Sequence, residues 1–267
     1  MTCPSKTNKL NVAIQTVLDP YHALVGQKLP GLMNAFYLEG SIALGGFNER
    51  FSDIDFIATL QRRLTPAEIE TLRGIHQQIE KSHPRWKMSG SYLPADFFAR
   101  PNDAEPNLHY HDGRLRQDAH FVLNSVEGWI LKNHGVTLFG PSAQTLPIAI
   151  DWQQLIREMR ENLNTYWRKW TRQPDRFVVL LSDWGVQWAV LGVLRQFYSF
   201  REDSITTKTK AGEYALTCLP TRWHWLIQEA INIREGKRAS AYRFRITRAV
   251  DAVKFLKFVI RTCNDTD

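Results

Sequence analysis

Apolar positions recur with two periods along this chain. Up to about residue 147 short strand-like runs alternate with helical stripes, and beyond it only helical spacing remains. Leu10, Ile14, Val17, Leu18 and Leu24 predict a helix over 8–28 with a break near Asp19-Pro20. Phe36-Tyr37-Leu38 and the run through Ile54, Phe56 and Ile57 predict two strands. Thr65-Pro66-Ala67-Glu68 combines an N-cap, a proline at the first helical position and a glutamate at the third, which opens a helix striped by Ile69, Leu72, Ile75 and Ile79. Trp86 to Leu93 reads as a third strand ended by Pro94. Residues 94–117, polar and rich in Pro, Asn and His, read as a long loop. Val126, Trp129 and Ile130 stripe a further helix closed by Gly135, and Val136 to Phe139 form a short strand stopped by Gly140-Pro141.

Past Pro147 the pattern is helical throughout. Asp151 with Gln154 caps a helix carrying Leu155, Ile156, Met159, Leu163, Tyr166 and Trp167. Pro174 breaks the chain, and 176–200 predict one long helix, apolar around most of its girth, as the centre of a bundle. Helices from Lys208 to Cys218, after Pro220 and from Ala239 to Thr262 complete the count. On the last, Arg243, Arg245 and Arg248 read as a solvated face opposite Val250, Val253 and Leu256. The expected fold class is therefore α+β, with a mixed-sheet domain over 1–147 and an all-α helical bundle over 148–267.

Composition narrows the function classes. With 43% hydrophobic residues a full core forms, while no apolar run reaches the ~18–20 residues of a membrane span. Three widely spaced cysteines (Cys3, Cys218 and Cys263) give neither a zinc spacing nor a disulfide framework, which points to a reducing cytoplasm. The net charge of +7 suits an anionic ligand. No run of five basic residues occurs, which argues against nucleic acid as partner.

The chemistry concentrates in 36–60, FYLEGSIALGGFNERFSDIDFIATL. Asp53 and Asp55 lie at i and i+2 on the second strand, so both carboxylates share one face while Ile54 and Phe56 take the other. Paired carboxylates repel, and a hard cation between them removes the repulsion; Mg²⁺ with one or two carboxylates and substrate phosphates is the usual solution. Gly40 lets the backbone approach a phosphate, which the Ser41 hydroxyl and the following helical turn can hold. The competing view is a polar turn followed by two solvated aspartates, although Asp is disfavoured in strands. In the 94–117 segment, His109-x-His111-Asp112 lacks a further ligand at a metal-site spacing and reads as polar surface.

Gly-Ser, eleven residues, then Asp-Ile-Asp resembles the signature of the nucleotidyltransferase superfamily, the polymerase-β-like fold. WILKNHGVTLFGP over 129–141 and the all-helical second half resemble the aminoglycoside adenylyltransferases of the streptomycin/spectinomycin type. So does Arg195 followed thirteen residues later by Lys208, the latter leading into AGEYALTCLP. The resemblance implies that Gly40 and Ser41 grip a nucleotide triphosphate, that Asp53 and Asp55 bind the metal, and that Arg195 and Lys208 reach the phosphates. Lys210 competes with Lys208, and Arg195 has Glu202 and Asp203 as alternative partners. Mg²⁺ and ATP follow as cofactor and co-substrate, expected in the cleft between the two domains. The implied reaction moves AMP to a hydroxyl of a small acceptor, an aminoglycoside by resemblance.

Two features depart from that family. Its third-strand glutamate, the base for the acceptor hydroxyl, has no counterpart in Lys87-Met88-Ser89-Gly90-Ser91-Tyr92. The tryptophan that packs on streptomycin has none in 105–118. Asp118, followed two residues on by His120, is the nearest acid and is expected to stand in for the base, or else to cap a strand or helix. Asp183 is a candidate acceptor contact or simply a helix N-terminal residue. The expected protein is a monomer that needs no membrane. The alternatives are a nucleotide-binding protein that has lost transfer, and a nucleotidyltransferase acting on a macromolecule.

Overall fold

The computed structural model describes residues 11–99, 105–237, 240 and 242–265. Leu10, Cys3 and the expected helix start at Ala239 lie outside the described residues. The fold is α+β: a mixed six-stranded sheet with flanking helices, and an all-helical part. Contacts divide the chain into two compact units. The first runs to Gly40 and takes in Asp53–Phe121 and Gly135–Pro147; the second comprises Ser41–Ser52, Val122–His134 and Ile148–Asp267. The glycine-rich segment and the helix after the sheet thus group with the C-terminal helices, a division that a single cut after residue 147 does not describe.

In the first unit, α1 (Val12–Lys28) and α3 (Pro66–Ser82) pack on one face of the sheet. The strands are β1 (Met33–Leu38), β2 (Ile54–Leu60), β3 (Met88–Pro94), β4 (Asn107–His111), β5 (Arg114–Ala119) and β6 (Val136–Phe139), in the order β5-β4-β3-β2-β1-β6. β2 and β3 are parallel, joined through α3, and the other pairs are antiparallel. The capping box at Thr65 and Glu68 forms as its sequence requires. Two expectations fail here. α1 runs through Pro20 without a break, because Ile14, Val17, Leu18, Tyr21 and Val25 are all buried. Burial worth ~1.5–3 kcal/mol for each large apolar side chain outweighs the ~3 kcal/mol cost of an internal proline. The long loop expected over 94–117 contains the hairpin β4–β5. Asp112 (φ 50°) and Gly113 (φ 75°) are its two-residue turn, a Asp-Gly signal that the surrounding polar residues obscure.

The short helix α2 (Gly40–Ala43) belongs to the second unit from Ser41 onward, and that unit includes α4 (Val126–His134). α5 (Trp152–Asn162) is capped by Asp151 as expected and passes into a π-helical turn, Leu163–Trp167. The expected single helix over 176–200 is two helices, α6 (Pro174–Leu180) and α7 (Asp183–Glu202), bent by 105° at Leu181-Ser182. The Ser182 hydroxyl accepts the N–H of Gly185 at 3.0 Å and starts a new helix, and a Cβ at Gly185 would stand 2.1 Å from the Val179 carbonyl. α7 buries ten residues and packs with α8 (Lys208–Cys218), α9 (His224–Arg234) and α10 (Arg245–Asn264). No single helix among the described residues is long and apolar enough to cross a membrane. Arg248 does not lie on a solvated face. It is buried, donating to Glu229 at 2.9 Å and Asp183 at 2.8 Å. A buried guanidinium needs such acids, and it ties α10 to α9 and α7.

Behind the sheet, His76 of α3 stacks on Tyr110 at 3.6 Å, and its Nε2 meets the Tyr92 hydroxyl at 2.6 Å. Tyr92 in turn bonds Tyr21 at 2.5 Å. Burial pushes the His76 imidazole down to about 3, so it stays neutral in the fold. An unfolded histidine titrates near ~6.5, so the unfolded chain takes up the extra proton and stability falls as pH drops below that value. The sheet unit should lose ~1.4 kcal/mol per pH unit from this group between pH 6 and 4. Urea unfolding followed across that range checks this, and His76→Phe should flatten the slope.

Candidate active site

In the first unit, Asp55 sits on β2 and Asp53 just ahead of it, both half-buried. They face away from α1 and α3, since the intervening Ile54 and the following Phe56 are buried and Phe56 contacts Tyr21 and His76. Gly40 closes on this pair. Its φ is +57°, and a Cβ there would stand 2.2 Å from an Asp55 carboxylate oxygen. The Glu39 N–H donates to the Asp55 carbonyl at 3.0 Å, locking the end of β1 beside the start of β2. The glycine is thus required twice, for its left-handed backbone and for the space its missing side chain leaves to the carboxylate. Lys87, at the entry to β3, feels the Asp53 charge. Its own partner is Asp112 at 2.7 Å, which raises the lysine above its ordinary value.

Among the described residues no group of three or more His, Cys, Asp and Glu is arranged to hold a metal. Two oxygen-donor carboxylates on one face are nonetheless a fitting donor set for Mg²⁺, which completes its shell from water and phosphate. His109 and His111 lie on β4, where Ser91 and Ser89 hold their Nδ1 atoms at 3.0 and 3.1 Å. Burial, then the charges of His111 and Arg116, keeps His109 below its ordinary value.

The strand register removes Asp118 from the aspartate pair. Asp55, Ser89, His111 and Arg114 lie in line across β2, β3, β4 and β5. Asp118 is on β5, three strands and hence ~14 Å from β2, and a further four residues or ~13 Å along the strand. Direct sharing of an ion with Asp53 is excluded at that separation, because both carboxylates would need oxygens ~2.0–2.1 Å from it.

In the second unit, the Ser41–Ser52 segment is built as a braced loop. The Gly46 N–H donates to the Ser41 carbonyl at 2.8 Å. The Asn48 side-chain oxygen accepts the N–H groups of Arg50 and Phe51, and its amide donates to the Arg234 carbonyl at 2.6 Å. Gly46 lies against Thr207, the N-cap of α8, where a Cβ would stand 2.5 Å from the threonine methyl. The Ser41 hydroxyl is buried with no hydrogen-bond partner among the described residues. Lys208 opens α8 with its Nζ 3.9 Å from the centre of the Trp188 ring, whereas Lys210 is exposed. Of the acids considered as alternative partners of Arg195, Glu202 accepts from Tyr214 and Asp203 from the Trp152 indole at 2.9 Å. Asp183 is the first residue of α7 and is held by Arg248, so it serves the bundle in this structure.

The sequence reading missed Arg234. This residue of α9 is buried, and among the described residues its guanidinium donates to the neutral Gln187 and Ser52 side chains, each at 3.3 Å. Burial, and then the nearby charge of Arg195, lowers it to about 10. Two neighbouring guanidiniums, that of Arg234 buried, concentrate positive charge at this place. Position alone conceals this, since an arginine ending an apolar helix also suits an ordinary C-terminus.

These features define an architecture: a mixed sheet carrying paired aspartates after a Gly-Ser turn, followed by an all-helical part. Residues 148–257 match the family described as aminoglycoside adenylyltransferase, C-terminal domain. The chain is also similar in fold to the spectinomycin adenyltransferase AAD(9) from Enterococcus faecialis, crystallised with ATP and spectinomycin. That likeness has a TM-score of 0.66 and 14% identity over 91% of this chain and 98% of that one. No curated protein sequence matches. The C-terminal segment therefore resembles that family's C-terminal domain, and the whole chain shares the fold of that adenyltransferase.

Gly40→Ala tests the close approach to Asp55. The added methyl meets both a left-handed φ and a carboxylate, and strain of ~1–3 kcal/mol is expected. A lower urea midpoint with retained circular dichroism is the expected result, and an unchanged midpoint contradicts it.

Proposed function

We propose that this chain transfers AMP from ATP to a hydroxyl of a small acceptor and releases pyrophosphate, with spectinomycin and streptomycin the first acceptors to try. The reading rests chiefly on Asp53 and Asp55 presented on one sheet face with Gly40 closed against Asp55. The neighbour crystallised with ATP and spectinomycin supports the choice of substrates.

Asp53 and Asp55 would hold Mg²⁺, which when bound neutralises phosphate charge and favours the ionised acceptor oxygen. Gly40 and Ser41 bind phosphate through backbone N–H groups and the buried hydroxyl. Arg195, Lys208 and Arg234 balance the triphosphate charge. Trp188, under Lys208, fixes that ammonium by cation–π attraction, so less freedom is lost when phosphate arrives. The expected working state is a monomer in the cytoplasm.

Incubation with ATP labelled at the α-phosphate, Mg²⁺ and each antibiotic, extended to other hydroxylated small molecules, tests the reading. Labelled acceptor and equimolar pyrophosphate are expected. ATP binding without transfer to any of them would favour a nucleotide-binding protein, and label on polynucleotide or protein would favour a macromolecular acceptor. Arg195→Ala, Lys208→Ala and Arg234→Met should each weaken ATP binding by ~1–3 kcal/mol, roughly 5- to 150-fold, with AMP affected less. Calorimetry with the two nucleotides reads this, and equal losses for ATP and AMP would contradict the triphosphate role.

A further inference from the structure

A hydroxyl nucleophile has a high pKa, and a proton acceptor placed on it speeds transfer near neutral pH. With Asp118 far along the edge strand, the structure offers another group on the aspartate-bearing face. The Cα partner of Asp55 on β3 is Ser89, whose hydroxyl is too weak a proton acceptor to act as a base. On the next strand His111 leans over it, with Nδ1 3.1 Å from the Ser89 hydroxyl oxygen. His111 is exposed and lies two strands, ~10 Å, from Asp55. Two side chains reaching toward each other across that gap leave room for one acceptor oxygen between them.

We propose that His111 is the general base of adenylyl transfer and that Ser89 is its positioning residue; the proposal rests on the transfer reading above. With Nδ1–H donating to the Ser89 oxygen, Nε2 carries the lone pair. As the acceptor oxygen bonds to the α-phosphorus, the bond from that phosphorus to the α–β bridging oxygen breaks. Pyrophosphate leaves with that electron pair, and the hydroxyl proton passes to Nε2. The exposed imidazolium then returns it to water. The same segment thereby gains a purpose that its His-x-His-Asp spacing alone did not supply.

The charged and titratable groups around His111 are few. Arg114 stands opposite on β5, Asp112 follows it and pairs with Lys87, and His109 stacks beside it at 6.2 Å. From β3 it meets Ser89, beyond which lies Asp55. Of the flanking groups only His109 ordinarily titrates between pH 5.5 and 8. His109→Gln is therefore the control for any acid limb in the rate.

The test uses the full chain with Mg²⁺-ATP and whichever antibiotic the wild type modifies. His111→Gln should lower kcat ~100-fold or more, as expected for loss of a base, with KM for ATP within about threefold. It should lose the acid limb of the kcat profile, and added imidazole should restore part of the rate to His111→Ala. Ser89→Ala should lower kcat less. Nitrogen-15 NMR of labelled histidine should show His111 as the Nδ1–H tautomer, and Ser89→Ala should abolish that preference. An Nε2–H tautomer, or a His111→Gln variant at the wild-type kcat, overturns the assignment while leaving the transfer reading standing. A wild type that makes no product with any acceptor overturns the transfer reading, and the base falls with it.

Discussion

Two carboxylates two residues apart at the start of one β-strand are the constraint that organises this molecule. Period two forces Asp53 and Asp55 to one face, and their half-buried position makes their mutual repulsion costly. The chain answers on one side with Gly40, whose missing side chain leaves the Asp55 oxygen room, and on another with Lys87. The opposite face carries Phe56, Tyr92, His76 and Tyr110 in a tight aromatic stack. That stack fixes the strand, so the carboxylates cannot separate by moving the backbone.

Arginines meet the complementary constraint in the helical unit, in two ways. Arg248 is buried with Glu229 and Asp183 and serves the bundle. Arg234 is buried with neutral partners beside Arg195 and has no such acid among the described residues. The first is a closed charge network; the second has capacity left for an anion. That contrast, together with the buried hydroxyl of Ser41, is what the proposed phosphate role of this unit rests on.

Features written in a few consecutive residues were legible from sequence. The box at Thr65, the cap at Asp151, the limits of Lys208 to Cys218 and the Gly40/Asp53/Asp55 spacing all form as read. Features that depend on distant partners were not. Pro20 survives inside its helix because of what that helix buries, and Arg248 is drawn inside by acids 19 and 65 residues away. Arg234 becomes significant only beside Arg195 and the Asn48 loop. Two local signals were available and outvoted by composition: Asp112-Gly113, which turns a hairpin, and Ser182 to Gly185, which starts a helix within an apolar run.

The central claim is that the aspartate pair is a metal-dependent phosphate site, and calorimetric titration of ATP with and without Mg²⁺ addresses it most directly. The account predicts ATP binding at least tenfold tighter with Mg²⁺ than in EDTA, a gain that disappears in Asp53→Asn while circular dichroism is unchanged. Equal affinity with and without the ion in the wild type, or an undiminished Mg²⁺ effect in Asp53→Asn, would contradict it.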